Sequence, residues 1–227
     1  MQFADVVVEI TEDGSNTLRS LQFDSTYHSH HGAFEESEFV FIQNGLDTLP
    51  ESSSNAVKIL EIGFGSGLNA LLAWQWAKKS GRKVEYVGVE AFPVNPNALQ
   101  DFESLIPNSS SDFQALHAAS WNEQHQTPNF NFTKLLSSWP ETKLHKEFDV
   151  VFYDAFSPDA QPEMWNQEAL KASADILKFG GIWVTYCAKG EVRRTMKAFG
   201  FDVQRLPGPP NKRHILHATK TSNTIPL

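Results

Sequence analysis

The sequence has one cysteine among 227 residues, Cys187, and it is short of positive charge, with 19 Lys and Arg against 27 Asp and Glu. A single cysteine excludes an intramolecular disulfide and disfavours a thiolate metal cluster. No apolar run approaches the ~20 residues needed to span a membrane as a helix. The opening residues, Met1-Gln-Phe-Ala-Asp5, lack the basic and apolar stretches of a secretory signal, so the expected location is cytoplasmic. The net charge of −8 speaks against holding nucleic acid by bulk electrostatics, though not against a local basic face. No HExxH pattern occurs, and no carboxylate pattern completes a site around His28, His30 and His31, so no metal is expected. The glycines at 63–67 are not followed by Gly-Lys-Ser/Thr, which removes a Walker-type phosphate loop.

What is present is 41% hydrophobic residues, enough to bury the core of one α/β domain. The expected organisation is an N-terminal hairpin and cover segment, 1–50, packed on a core, 51–227, that folds as one unit. The core is organised around 58–70. Ile59, Leu60 and Ile62 form a short apolar run that empties into Gly63, Gly65 and Gly67 and then into an apolar-periodic helix over 68–77. Strand, glycine turn and helix make the nucleotide-cradling corner of a doubly wound sheet. The helix N-terminus adds unpaired N–H groups that suit an anionic or polar ligand.

Around that corner the sequence predicts a β-hairpin over 5–23, with Asp13-Gly14 at its turn, then a polar and aromatic loop over 23–37. A short helix is expected over 38–46 and a serine-rich linker over 50–55. Residues 84–89 read as a second strand closed by Glu90, completing a right-handed βαβ unit. Glu90 lies 23 positions after Gly67, where a carboxylate meets ribose hydroxyls. Helices follow over 97–105 and 112–119, a weak strand over 131–136, and a strand over 148–153 apolar enough to be buried on both faces. A helix over 163–177, with Trp165, Leu170, Ile176 and Leu177 inward, leads to a Gly180-Gly181 cap and a strand over 182–187. A helix over 191–199 and strands over 201–206 and 214–219 close the chain, the last two as an antiparallel hairpin around Pro207-Gly-Pro-Pro210.

The alternation commits the fold to α/β, doubly wound. Two cofactor readings fit the glycines. Gly65-Ser-Gly67-Leu-Asn-Ala70 can be laid on a nicotinamide or flavin fingerprint, while Glu61-Ile-Gly63-Phe-Gly65-Ser-Gly67 matches the acidic-G-x-G-x-G motif of class I S-adenosylmethionine methyltransferases. A carboxylate inside a strand needs polar work to offset its burial, and the terminal hairpin favours the methyltransferase. Asp154-Ala-Phe-Ser-Pro158, at the carboxyl end of the 148–153 strand, faces the same crevice. A carboxylate there can orient a neutral amine and stabilise the cation that develops as it attacks.

The ordered set of motifs resembles the methyltransferase half of the bifunctional tRNA-modifying MnmC family, especially its stand-alone, MnmD-like form. It comprises Phe23-Asp24-x-x-Tyr27-x-Ser29 with Glu35-Glu36-Ser37, Glu61-x-Gly-Phe-Gly-x-Gly-Leu-Asn69, Val89-Glu90-x-Phe92-Pro93 and Asp154-Ala-Phe-Ser-Pro158. It continues with Pro162-x-Met164-Trp165, Ala188-x-Gly190-x-Val192-Arg193-Arg194 and Pro207-Gly208-x-x-x-Lys212-Arg213. The fold implied is a class I S-adenosylmethionine-dependent methyltransferase, a mostly parallel sheet with an antiparallel terminal hairpin. The activity implied is methylation of the aminomethyl group of 5-aminomethyl(-2-thio)uridine at the tRNA wobble position, with S-adenosylhomocysteine as by-product.

By the same resemblance Glu61, Gly63, Gly65, Gly67 and Asn69 surround the cofactor tail, Glu90 and Phe92 its nucleoside, and Asp154 the acceptor amine. Ser29 and Glu36 wall the cofactor, and Tyr27, Phe156 and Pro158 the substrate. Trp165 and Phe156 are candidates to stack on a splayed anticodon-loop base. Lys212 and Arg213, with Lys189, Arg193, Arg194 and Lys197, are candidates for a phosphate-contacting rim. The flavin oxidase half of the fused enzymes has no counterpart in these 227 residues, so upstream tRNA-modifying enzymes are expected to supply the amine and no flavin is expected. The Gly-Asp that tends to follow the third strand in this family is also missing, Ser137-Ser138 standing there, which leaves the adenine amino group without its usual partner. A methyltransferase acting on a small-molecule amine, and a silent cofactor- or RNA-binding module, remain the alternatives.

Overall fold

A computed structural model of the protein describes residues 3–10, 16–27, 32–50, 56–103, 110–145, 147–209 and 213–221. Eleven strands are seen among them: β1 (Val6–Ile10), β2 (Asn16–Ser20), β3 (Ser25–Thr26), β4 (Val57–Ile62), β5 (Val84–Glu90), β6 (Gln124–His125), β7 (Phe130–Leu136), β8 (Phe148–Tyr153), β9 (Leu177–Thr185), β10 (Phe201–Pro207) and β11 (His214–Lys220). The helices are α1 (Ala33–Ser37), α2 (Leu68–Ser80), α3 (Pro96–Glu103), α4 (Ser110–Ala118), α5 (Gln167–Asp175) and α6 (Gly190–Ala198).

Eight strands form one sheet in the order β10-β11-β9-β8-β4-β5-β7-β6. β7, β5, β4, β8 and β9 run parallel, β11 is antiparallel to both β9 and β10, and β6 is antiparallel to β7. From β4 the chain winds outward through β5 and β7, then returns to β4's other side for β8 and β9. The topological switch therefore lies between β4 and β8, and a ligand crevice opens beyond their carboxyl ends. Gly63 follows one of these strands and Asp154 the other.

Both faces of the sheet are covered, and the period-2 alternation of strand side chains divides the core in two. Ile59, Val150, Phe152, Ile182 and Val184 point to a face covered by α2, α4 and the segment 38–43. Leu60, Ile62, Val151, Tyr153 and Trp183 point to the face covered by α5 and α6. α2 is buried nearly all round, from Leu68 to Trp74 and again at Trp76 and Ala77, as expected of a helix apolar on every side. The N-terminal strands make a separate sheet, β1-β2-β3. It joins the first core through fully buried Leu18 and is tied on by the Ala4 N–H to the Pro93 carbonyl at 2.8 Å.

Several elements differ from the sequence reading. The stretch 23–37 is not one loop, since it contains β3 and α1, and α1 runs on into a π-helical turn, Glu38–Gln43, where a helix over 38–46 was expected. The helix expected over 163–177 is split. A 3-10 turn, Pro162–Trp165, ends at Asn166, whose side chain caps α5 by accepting the Ala169 N–H at 2.8 Å. β9 begins before Gly180-Gly181, so the pair is a bulge inside a strand instead of a helix cap. Phe148 pairs with Leu177 and Val150 already with Ile182, so Lys178 to Gly181 are extruded, and Gly180 takes φ 72° to allow it. The terminal hairpin is as expected. The Asp13-Gly14 turn and residues 51–55 lie outside the described residues.

Candidate active site

The glycine corner is shaped from behind by one ring. Phe64 is buried over mid-strand Gly88, where an added Cβ would lie 2.5 Å from the Phe64 ring, and it also fills the space beside Gly67. The loop is pinned to β5 by the Gly63 and Phe64 N–H groups, both donating to the Val89 carbonyl at 3.1 Å. His117 of α4 donates from Nε2 to the Ser66 carbonyl at 3.0 Å. Burial, then the charge of Lys134, lowers the His117 pKa to about 4, so this prop is a neutral imidazole. Lys134 is itself buried, packs over the Trp121 ring, and is lowered to about 8 by that burial. Gly67 then caps α2 with φ 75°.

In front of the loop lies a cavity of about 590 Å³ that reaches from the glycines past Glu90 to the Asp154 loop. Glu90 accepts the Gly65 N–H at 2.9 Å and the Phe92 N–H at 2.8 Å, which orients its carboxylate while leaving lone pairs for hydroxyl donors. Burial raises its pKa, and those backbone bonds oppose the rise. Gly63 and Gly65 are required by contact as well as by positive φ. A Cβ on Gly63 would fall 2.5 Å from the Asp154 carbonyl oxygen, and one on Gly65 3.0 Å from the Tyr27 ring.

Asp154 continues the β8 ladder by donating its N–H to the Ile62 carbonyl at 2.9 Å. Aromatic donors fix the loop behind it. The Tyr186 hydroxyl donates to the Ala155 carbonyl at 2.8 Å and the Trp165 indole to the Phe156 carbonyl at 2.7 Å. The Tyr153 hydroxyl bonds the Met164 carbonyl beneath them. The Asp154 carboxylate accepts from the Asn69 amide at 2.7 Å, and the same nitrogen donates to Glu61 at 2.9 Å. Glu61 is wholly buried and takes the Tyr86 hydroxyl at 2.7 Å on its other oxygen. Burial pushes the Glu61 carboxyl well above its ordinary range, although both donors work the other way.

The structure thus brings Tyr27, Glu36, Gly63, Gly65, Asn69 and Glu90 to one cavity, and Phe92, Asp154 and Phe156 with them. Glu61 lies beneath its floor, and Gly67 and Pro158 are not on its wall. Trp165 is buried against Tyr153 and Tyr186, so it braces the Phe156 loop from behind and offers no open ring face to a base. Arg213 is exposed next to β11, Lys189 is paired with Asp159 at 2.7 Å, and Ser29 and Lys212 lie outside the described residues. Among the described residues no three His, Cys, Asp or Glu side chains are grouped as a metal site would need, and no helix is long and apolar enough to cross a membrane.

Sequence reasoning missed Tyr86, Tyr186 and Glu141, and it had Phe23 in a motif without assigning it a place in the site. Phe23 reaches over the cavity from the N-terminal sheet and packs on Phe156 at 4.9 Å and Phe92 at 6.0 Å. Tyr86 had a legible signal, being the one aromatic residue of β5, and its hydroxyl reaches Glu61 at 2.7 Å. Ser137, Ser138 and Glu141 line the cavity next to Glu90, where the expected Gly-Asp is lacking.

Residues 100–221, more than half of the chain, match the family model described as S-adenosyl-L-methionine-dependent methyltransferase, and the chain belongs to that family. More narrowly, it is similar to the tRNA 5-methylaminomethyl-2-thiouridine biosynthesis bifunctional protein MnmC of Marinomonas sp., at 31% identity over 95% of this chain and 34% of that protein. The MnmC protein of Pseudomonas fluorescens is 32% identical over 90% of this chain and 33% of its own length. The chain therefore spans about a third of the length of these curated relatives. Among solved structures, MnmC2 from Aquifex aeolicus covers 99% of this chain and 73% of its own, with a TM-score of 0.79 at 23% identity. An S-adenosylmethionine-dependent O-methyltransferase from Thermotoga maritima gives 0.50 over 100% of this chain and 96% of its own, at 15% identity. Both support the class I methyltransferase fold expected from the sequence.

The residues fit S-adenosylmethionine. Gly63 and Gly65 line the cavity with bare backbone, and Glu90 keeps acceptor capacity on its wall. Nicotinamide or flavin, the other reading of the glycines, is set aside by the family match.

Proposed function

We propose that this protein methylates a primary amine, the aminomethyl group of 5-aminomethyl(-2-thio)uridine in the anticodon loop of tRNA. The observation that carries the reading is the direct link between cradle and acceptor loop. The Asp154 carboxylate is hydrogen-bonded through Asn69 to the strand that bears the glycines, and its carbonyl lies against Gly63. The MnmC relatives, named for methylaminomethyl-thiouridine biosynthesis, support the choice of amine and of tRNA.

S-adenosylmethionine supplies an electrophilic methyl on a sulfonium centre. Glu90 would hold the ribose hydroxyls, the glycine loop would present backbone to the tail, and Ser137, Ser138 and Glu141 would offer acceptors to the adenine amino group. Asp154 takes a proton from the arriving ammonium and passes it to solvent before transfer, which leaves a neutral nitrogen with its lone pair directed into the cradle and restores the carboxylate. The secondary ammonium then forms beside a carboxylate, which lowers the barrier electrostatically. Alignment in the enclosed cavity supplies much of the remainder. Phe23, Phe92, Tyr27 and Phe156 form an aromatic wall suited to an unstacked base.

The test is transfer of labelled methyl to tRNA carrying 5-aminomethyl-2-thiouridine, followed by nucleoside analysis for the 5-methylaminomethyl product. Unmodified tRNA should remain unlabelled, and label there with none on the aminomethyl form rules the reading out. The net charge of −8 favours a second reading, a small-molecule amine as acceptor. Transfer to free amines with no transfer to either tRNA supports it.

A further inference from the structure

The resemblance assigns Asn69 to the cofactor tail, but its contacts face elsewhere. Asn69 is the second residue of α2 and is buried, with 2% exposure. Its amide nitrogen meets Glu61 Oε1 at 2.9 Å and Asp154 Oδ2 at 2.7 Å. A primary amide has two N–H groups, so one nitrogen can serve both carboxylates at once. Among the described residues, ionisable groups beside this cluster include Tyr86 and Glu90 from β5, Tyr186 and Cys187 after β9 and Glu36 from α1. None is a cation. Two carboxylates brought together repel, and the donor they share here is a neutral side chain.

We propose that Asn69 is a positioning residue for Asp154, its amide clamping the acceptor carboxylate to buried Glu61 in the orientation that receives the amine. The proposal rests on the amine methylation above. The clamp has three tiers: the Tyr86 hydroxyl fixes one Glu61 oxygen, the Asn69 amide fixes the other, and the same amide fixes Asp154. The amide orientation costs something, because Asn69 Oδ1 is left buried with no hydrogen-bond partner among the described residues. Both N–H groups of the amide are committed to carboxylates, which makes donation the role its contacts show. The raised Glu61 carboxyl agrees, since burial and then the Asp154 charge work against its ionised form while the Tyr86 and Asn69 donors support it.

This makes donation the essential property of position 69, and an isosteric swap tests it. Asn69→Asp keeps the shape but puts a third carboxylate between two others. Asn69→Ala removes the donor and adds no charge. Three readouts are taken at several pH values: kcat and KM on aminomethyl tRNA, S-adenosylhomocysteine affinity by calorimetry, and the melting temperature. Asn69→Ala is expected to lower kcat about 10- to 100-fold, the range of a misplaced acid–base group, while the calorimetric affinity stays within about threefold. Its acid limb should move to higher pH by about one unit, because a carboxylate deprived of its donor gives up its charge sooner as pH falls. Asn69→Asp should be slower than Asn69→Ala at pH 8 and should recover as pH falls and the introduced carboxyl regains a proton to donate.

If instead the Asp variant matches wild type, or both variants lose S-adenosylhomocysteine affinity at unchanged kcat, Asn69 serves the cofactor and the proposal is overturned. Should Asn69→Asp fail to fold, Asn69→Ala alone still decides through the kcat-against-affinity split and the pH limb. Carbon-13 carboxyl NMR of Asp154 and Glu61 in wild type and Asn69→Ala gives a readout that needs no substrate, and unchanged titrations of both contradict the clamp. Failure of the amine reading would appear differently, as wild-type protein that transfers nothing to aminomethyl tRNA.

Discussion

Gly63→Ala strikes the point where the cofactor cradle meets the acceptor loop. The new methyl would sit 2.5 Å from the Asp154 carbonyl oxygen and 2.9 Å from its carbonyl carbon. Both are backbone atoms, so no rotamer change relieves the contact. Holding Ala at φ 92° adds backbone strain of about 1–3 kcal/mol, and overpacking adds about 1–3 kcal/mol. A combined cost of about 3 kcal/mol lowers the melting temperature of a domain this size by roughly 6–12 °C. Part of the strain can be released by parting the β4 and β8 loops, which moves Asp154 away from the cradle. Binding and rate should then fall together, with S-adenosylhomocysteine affinity down about tenfold and kcat more, since misplacement of about 1 Å can cost 10²-fold. Calorimetry, thermal melting and single-turnover transfer on one preparation read all three. A variant that melts within about 2 °C of wild type and binds normally would refute the contact argument.

Other substitutions test separate parts of the site. Glu90→Gln loses the charged acceptor proposed for the ribose and should weaken S-adenosylhomocysteine binding about 10- to 100-fold, whereas unchanged calorimetric affinity would remove Glu90 from the cofactor site. Glu141→Ala, at an exposed rim, should weaken it about threefold to tenfold, and adenosine analogues lacking the 6-amino group should lose that difference. His117 makes acid stability the third test. Its folded pKa of about 4 lies below the ordinary 6.5, so the unfolded chain binds the extra proton first, and stability is lost as pH falls from 6.5 to 4. The gap, 6.5 − 4 = 2.5 units, corresponds to about 3 kcal/mol. Denaturant titrations of His117→Asn should show a shallower loss over that window than wild type, and identical slopes would contradict a buried neutral imidazole.

The parts of the site that could be read from the sequence were those whose chemistry is local. Gly63, Gly65 and Gly67 announce themselves because only glycine tolerates φ 92°, 51° and 75° so close together. Glu90 and Asp154 follow at strand ends, where topology sends ligands. Contacts between distant segments left no periodic mark. Phe23 covers the cavity from a separate sheet, and Tyr86 and Tyr186 act through single hydroxyls. Trp165 looked like a stacking platform because an indole in a motif reads the same whether it faces a ligand or the core. It is held inward by its bond to the Phe156 carbonyl. The helix over 163–177 was overextended because its apolar spacing continues through Asn166, where a local side-chain bond restarts the helix. Gly180-Gly181 resembled a helix cap because positive φ serves caps and bulges alike, and only pairing with β8 on both sides of the bulge distinguishes them.

The most direct measurement is single-turnover methyl transfer by wild type and Asp154→Ala to tRNA with and without the wobble 5-aminomethyl group, with S-adenosylhomocysteine affinity measured in parallel. The account predicts label on the aminomethyl nucleoside alone, a loss of about 10²-fold or more in Asp154→Ala, and affinity retained within about threefold. Transfer by Asp154→Ala at the wild-type rate, or label on tRNA that lacks the amine, would contradict it.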